Sequence, residues 1–249
     1  MKAKTGTRQW ADHNENCMDG CSNDCKYCYA KKIAIRFKRH TKESWHIMRA
    51  SPKAAFVPRK HNGRVMFPTS HDLHFANRHI WLPFLKGLLE VGNDVLIVSK
   101  PEVAAINCII GACMDYRDHI EFRFTIGSCN DYTLKYWEPG APSFDERVTA
   151  LSLAKNAGFR TSVSIEPMLD EDPSTLITLI RPFVTDTIWI GNMNHMKKSD
   201  FPPQEGLMYS QMLRINSLAN ITKVYQKFKD DPMIRWKDSI QKMMGLTIE

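Results

Sequence analysis

The stretch Cys21-Ser22-Asn23-Asp24-Cys25-Lys26-Tyr27-Cys28-Tyr29-Ala30 gathers three thiols in a C-x3-C-x2-C run. Thiolates hold iron–sulfur clusters, and three of them at this spacing can wrap one face of a cubane in a tight loop. Three protein ligands for four irons leave one iron open. An open coordination position belongs to a reactive site rather than a structural one. Cys17 stands four residues before the run, so a four-cysteine zinc site competes with this reading. Zinc knuckles usually pair two C-x2-C units across a longer loop, and here a single C-x2-C has no second pair after it. The pattern favours a 4Fe-4S cluster on Cys21, Cys25 and Cys28, with Cys17 outside the ligand set. Cys108, Cys113 and Cys129 are scattered and read as small apolar residues.

The rest of the chain must position that loop. Its 249 residues are 43% apolar and 24% charged, which excludes wholesale disorder. A net charge of +7 would help the protein approach phosphate-rich partners without requiring one. Seven cysteines, four of them crowded into Cys17 to Cys28, do not form the framework of a small secreted protein. The longest suggestive apolar run, Ala104 to Met114, is broken by Asn107 and is too short to span a membrane. Met1 to Gly6 lacks the apolar stretch of a secretory signal. The expectation is a cytoplasmic protein with no membrane partner.

From about residue 60, β-rich runs alternate with helical patterns. Strands are expected at Arg64–Pro68, Asp94–Ser99, Glu121–Ile126, Arg160–Ile165 and Thr187–Gly191, with a weaker one near Arg8–Asp12. Helices are expected around Arg78–Val91, after Pro101, from Ser143 or Asp145 to the Gly158 stop, and over Ser174–Phe183. This alternation implies right-handed βαβ crossovers and a parallel sheet. The predicted fold is α/β, a partial (β/α)6 TIM-type barrel over residues 1–195 that includes a cluster loop at 17–30. A C-terminal helical extension over 196–249 follows, with helices at Met208–Phe228 and Ile234–Met244. Lys223, Tyr225, Lys227, Phe228 and Lys229 interleave charge and aromatics, a pattern that can track a nucleic-acid backbone and is read in preference as an amphipathic helix packed on the barrel.

Barrel chemistry gathers at the C-terminal strand ends, and polar residues recur there. They are Thr69-Ser70-His71-Asp72, Ser99-Lys100, Thr125 to Cys129, Ser164-Ile165-Glu166, and Asn192 to His195. Any single one can be a loop or a helix cap.

The cysteine run, with Tyr27 directly before its last thiol, resembles the radical S-adenosylmethionine superfamily. The resemblance implies that S-adenosylmethionine binds the open iron through its amino and carboxylate groups. A one-electron donor of the flavodoxin or ferredoxin type then drives its cleavage to methionine and a 5′-deoxyadenosyl radical, which takes a substrate hydrogen. Residues 17–192 look like the branch that contains spore photoproduct lyase. The matching features are Cys25-Lys26-Tyr27-Cys28-Tyr29, Ser99-Lys100, Arg123 to Ile126, Glu138-Pro139, Arg147 and Ser164 to Pro167.

By that resemblance Lys100 pairs with the carboxylate of S-adenosylmethionine. Ser70 and Thr125 bond its methionine or ribose part, Tyr27 lies near the adenine, and Ser128 and Glu166 belong to the same cofactor shell. A nucleic acid or nucleotide substrate is implied as well. The family's hydrogen-returning cysteine is missing from Phe67 to Asp72. Cys129 is the candidate replacement, against the alternative of an inert thiol. His71, beside Asp72, is the candidate acid–base group, against a surface or capping role. The competing functional class is a zinc-stabilised nucleic-acid-binding module without catalysis, and a third reading keeps the cluster for electron transfer or sensing.

Overall fold

The computed structural model describes residues 4–194 and 196–248. Seven parallel strands form one sheet: β1 (His13–Asn14), then β4 (Val65–Phe67), β5 (Val95–Ser99), β6 (Ile120–Thr125), β7 (Arg160–Ile165), β8 (Ile188–Ile190) and β9 (Ile234–Trp236). Two short strands between the first and second of these, β2 (Met18–Asp19) and β3 (Arg49–Ala50), make a separate antiparallel pair. The large sheet runs in sequence order from β1 to β9, and those two edges do not pair with each other. It is an open, partial barrel.

The strands alternate strictly between two faces. Val65, Phe67, Ile97, Phe122, Phe124, Val163, Ile165, Ile188 and Ile190 turn outward into the main core. There they meet α2 (Arg78–Glu90), α3 (Val103–Cys113), α5 (Phe144–Asn156) and α6 (Ser174–Ile180) through Trp81, Leu85, Ile106, Leu151 and Ile177. The α5 helix begins where Ser143 Oγ accepts from Glu146 N at 3.3 Å, and ends at Gly158, whose φ of +83° suits a residue without a side chain.

The inner face carries Met66, Leu96 and Trp189, and against them Trp10 closes a small apolar cluster. Towards the N-terminal strand ends this face turns ionic. Glu121 pairs with Arg123 at 2.8 Å and Arg160 at 3.4 Å, accepts from Ser162 Oγ at 2.6 Å, and also meets Arg64. The Arg123 guanidinium lies 4.9 Å from the Trp10 ring and 5.4 Å from that of Trp189. That end is closed by charge pairing, so the free volume lies at the C-terminal ends.

Three sequence expectations change. Over Arg8–Asp12 the chain is not a strand: Gly6–Gln9 is a 3-10 turn, and pairing starts at His13. Met208–Phe228 is two helices, α7 (Gly206–Ile215) and α8 (Leu218–Phe228), because Ser217 is extended and its hydroxyl caps a new start by accepting from Asn220 N at 3.2 Å. Ile234–Met244 is likewise divided, since Ile234–Trp236 joins the sheet as the seventh strand before α9 (Asp238–Met243) begins. Three residues are too few to display a period. The α8 aromatics do pack inward, Tyr225 lying 5.1 Å from Trp236, while Lys227 pairs with Asp172 at 2.8 Å. Among the described residues no helix is long and apolar enough to cross a membrane.

Candidate active site

The loop between β2 and α1 (Tyr29–Arg36) carries the three motif cysteines. Asp24 turns the chain with a φ of 45°, a conformation that Asp tolerates better than most residues. Its carboxylate pairs with Lys31 at 2.6 Å. Cys28 caps α1, its sulfur accepting from Lys31 N at 3.4 Å, where the helix terminus favours a thiolate. The loop is seated from below. Cys21 N donates to Trp45 O at 2.9 Å, Lys26 N to Trp137 O at 2.9 Å, and Gly140 N to Asn23 O at 3.1 Å.

The last contact leaves no room. A Cβ on Gly140 would stand 2.0 Å from Ser22 O. Gly140→Ala therefore has to push the loop off its seat, at a cost of about 1–3 kcal/mol. The expected result is an intact circular dichroism spectrum with several-fold less iron taken up on anaerobic reconstitution. Normal iron uptake would contradict this docking.

Cys21, Cys25 and Cys28 all border one cavity of about 780 Å³ at the C-terminal end of the sheet. Burial pushes the Cys25 thiol up to about 12, partly opposed by the Lys100 ammonium, and burial raises Cys21 and Cys28 as well. The chain by itself holds these groups as thiols, so loading a metal cluster must release protons. Among the described residues no three His, Cys, Asp or Glu side chains converge tightly enough for a single metal ion. The fourth candidate zinc ligand is elsewhere. Cys17 is fully buried, its sulfur 3.9 Å from His71 Nε2, and it does not border the cavity.

Lys100, at the end of β5, is a buried cation on this cavity. Its side chain is 14% exposed and its Nζ lies 3.9 Å from Glu138 Oε1. Cys25, Glu138 and Asp72 hold its pKa above the usual lysine value despite the burial, so it stays charged. Glu138 is shared: Arg147 Nη2 lies 2.5 Å away and the Tyr27 hydroxyl donates to it. Arg147 also donates to Thr125 O at 3.2 Å, which ties the β6 end to the cysteine loop.

Asp72 is a second joint. It accepts from Asn23 Nδ2 at 2.7 Å, Lys100 N at 3.0 Å, Leu73 N at 2.8 Å and the Ser99 hydroxyl. From sequence Asp72 is read as the acid–base or hydrogen-bond partner of His71 or as a helix cap, and Glu138 and Arg147 enter only as features of the resemblance, without a role.

Of the residues singled out from sequence, Tyr27, Ser70, His71, Lys100, Thr125 and Glu166 border the cavity with the three thiols, and Ser128 and Cys129 do not. Ser128 Oγ donates to Asp170 at 2.6 Å and caps Asn130 N at 2.9 Å, while Cys129 packs against the main core. The strand turns them away once β6 ends at Thr125. Cys129 therefore does not face the site as a hydrogen donor, and Ser128 does not face it as a cofactor contact. His195 lies outside the described residues.

His71 is engaged on both ring nitrogens. Nδ1 donates to Asp72 O at 3.1 Å, and Nε2 accepts from Cys17 N at 3.3 Å. Neither is free for acid–base work, and burial lowers its pKa from 6.5 to about 4. The unfolded chain therefore takes up a proton near 6.5 that the folded chain refuses until about 4. This stability is fully present above pH 6.5. It falls by up to about 3 kcal/mol as the pH drops to about 4. His71→Asn should flatten this dependence, read as the urea midpoint against pH. Parallel curves for the two proteins would contradict the buried neutral imidazole.

No protein-family model matches the chain, and no curated protein sequence does. Solved structures do match. A cysteine-to-alanine variant of spore photoproduct lyase with a dinucleoside spore photoproduct superposes with a TM-score of 0.60 at 14% identity, covering 94% of this chain and 78% of that one. A tyrosine-to-phenylalanine variant gives 0.55 at 16% identity, covering 86% and 63%. Streptococcus suis SuiB bound to the precursor peptide SuiA gives 0.50 at 8% identity, covering 73% and 39%. At such identities the likeness is one of fold.

Proposed function

We propose that this chain is a radical S-adenosylmethionine enzyme. Cys21, Cys25 and Cys28 would hold a 4Fe-4S cluster, and the half of the cavity beside Lys100 would receive S-adenosylmethionine. The observation that carries the reading is the meeting of three thiols and the buried Lys100 ammonium on a single cavity, with the fourth nearby thiol turned away. The bound cluster supplies one electron, taken from an external flavodoxin- or ferredoxin-type donor, to split the sulfonium into methionine and a 5′-deoxyadenosyl radical.

The chain's own residues bind and orient. Lys100 attracts the carboxylate of the ligand, while Glu138 and Arg147 fix Lys100 and Tyr27 in place. Ser70 and Thr125 offer hydroxyls at neighbouring strand ends, and Ala30, Ala34 and Trp45 pack against Cys21 and Cys28. The shared fold with a lyase seen with a dinucleoside supports a nucleic acid or nucleotide as substrate. The zinc-module reading is disfavoured, because its fourth thiol faces His71.

The test is anaerobic reconstitution with iron and sulfide, followed by reduction with S-adenosylmethionine. A brown protein that forms 5′-deoxyadenosine and methionine in equal amounts is expected. One zinc per chain, no iron uptake and a requirement for Cys17 would replace the proposal with the zinc module.

A further inference from the structure

We propose that the half of the cavity built by the ends of β7, β8 and β9 is a substrate subsite for an amidine-type edge, a planar group presenting adjacent N–H donors. The inference rests on the proposed function in one respect, that S-adenosylmethionine takes the opposite half beside the thiols and Lys100.

Ser164 and Glu166 close β7, Asn192 follows β8 and Lys237 follows β9, and all four border the cavity. Acceptors dominate this wall. Ser164 Oγ and Asn192 Oδ1 belong to residues 1% and 4% exposed and have no hydrogen-bond partner among the described residues. The cation paired with the Glu166 carboxylate is Lys237, at 3.7 Å, beyond hydrogen-bonding range, with Arg123 acting on it from farther away.

That lysine is already committed. Its Nζ donates to Gly6 O at 2.7 Å and sits 4.0 Å from the centre of the Trp10 ring. Lys237 thus balances the charge of Glu166 without satisfying its lone pairs. Trp10 also borders the cavity, and its unpartnered Nε1 is a donor that fits a carbonyl beside the N–H groups.

Space for the carboxylate is built in. A Cβ on Gly191 would stand 2.9 Å from both Glu166 Cγ and Lys237 Cγ. The lysine is anchored in turn by the N-terminal segment, where Gly6 N donates to Asp238 at 3.1 Å and Asp238 N to Gln9 Oε1 at 2.9 Å.

Buried acceptors left open carry a desolvation cost, which a donor-rich ligand removes. A carboxylate meets two parallel N–H groups best as a bidentate pair. An imide edge, acceptor–donor–acceptor, would instead bring oxygen against oxygen. The same amidine chemistry is carried by a guanine-type base and by a guanidinium side chain.

Calorimetric titration of the full chain with guanosine, L-argininamide and thymidine, before and after reconstitution, tests the assignment. At least one of the first two should bind ten times more tightly than thymidine, and Glu166→Gln should weaken that probe tenfold or more. Binding of guanosine alone identifies a base, and binding of L-argininamide alone a peptide side chain. Thymidine binding as tightly, no probe binding, or an unaffected Glu166→Gln variant would overturn the subsite. So would loss of S-adenosylmethionine binding in Glu166→Gln, which would move Glu166 to the cofactor. Failure of the wild type to cleave S-adenosylmethionine defeats the proposed function separately, because the probe titrations need neither cluster nor cleavage.

Discussion

Replacing Cys25 by alanine is expected to abolish iron loading and 5′-deoxyadenosine formation together. Cys25 is the most enclosed of the three motif thiols, 6% exposed, and the one whose charge is coupled to both Lys100 and Glu138. Without it two thiols remain on the cavity, too few to hold a cubane of about four irons against hydrolysis. Cys21→Ala and Cys28→Ala should behave in the same way. Cys17→Ala is the contrast. It deletes a buried sulfur in the core beside His71, at a cost of about 1–2 kcal/mol of stability, yet should load iron fully. Iron per chain and 5′-deoxyadenosine per hour on all four variants settle the ligand set. Loss of iron in Cys17→Ala, or its retention in Cys25→Ala, would contradict the assignment.

Lys100→Met is expected to produce the second largest effect, at least a hundredfold weaker S-adenosylmethionine binding. Removing one partner of a desolvated charge pair typically costs about 2–5 kcal/mol. The Lys100 ammonium lies 3.9 Å from Glu138 Oε1 and the residue's backbone N–H donates to Asp72 at 3.0 Å, while the side chain borders the cavity. The fold should survive, because Glu138 keeps Arg147 at 2.5 Å and is not left as an unpaired buried charge. Lys100→Arg restores the charge but spreads it over a planar fork too large for the same place, and should recover only part of the affinity. Iron content measured in parallel separates lost cofactor binding from lost cluster. Binding within threefold of wild type would show that Lys100 does not meet the carboxylate.

What could be read in advance follows from how local each signal is. Cys21, Cys25 and Cys28 lie within one loop, so their grouping on one cavity follows from their spacing. The inner strands are buried on both faces and read as β-branched and aromatic runs, which made β5, β6 and β7 visible. The joints of the site are different. Asp72 meets Asn23 from 49 positions away, and Glu138 meets Tyr27 from 111. Local sequence marks both positions as polar but does not give the partners they meet. Lys237 and Trp10 meet only because a three-residue strand carries the tail back into the sheet. Ser128 and Cys129 show the converse, since they do not border the cavity. They follow β6 directly in sequence, but the strand ends at Thr125, and the chain then leaves the cavity before reaching them. His71 was placed at the correct strand end, yet its neighbours Cys17 and Asp72 occupy both nitrogens.

The most direct test of the whole reading is electron–nuclear double resonance on the reduced, reconstituted protein, mixed with S-adenosylmethionine labelled at its amino nitrogen and carboxylate oxygen. Hyperfine coupling of both labels to the cluster is expected, and it should disappear in Lys100→Met at matched ligand concentration. A cluster with four cysteine ligands and no coupling to either label would contradict it.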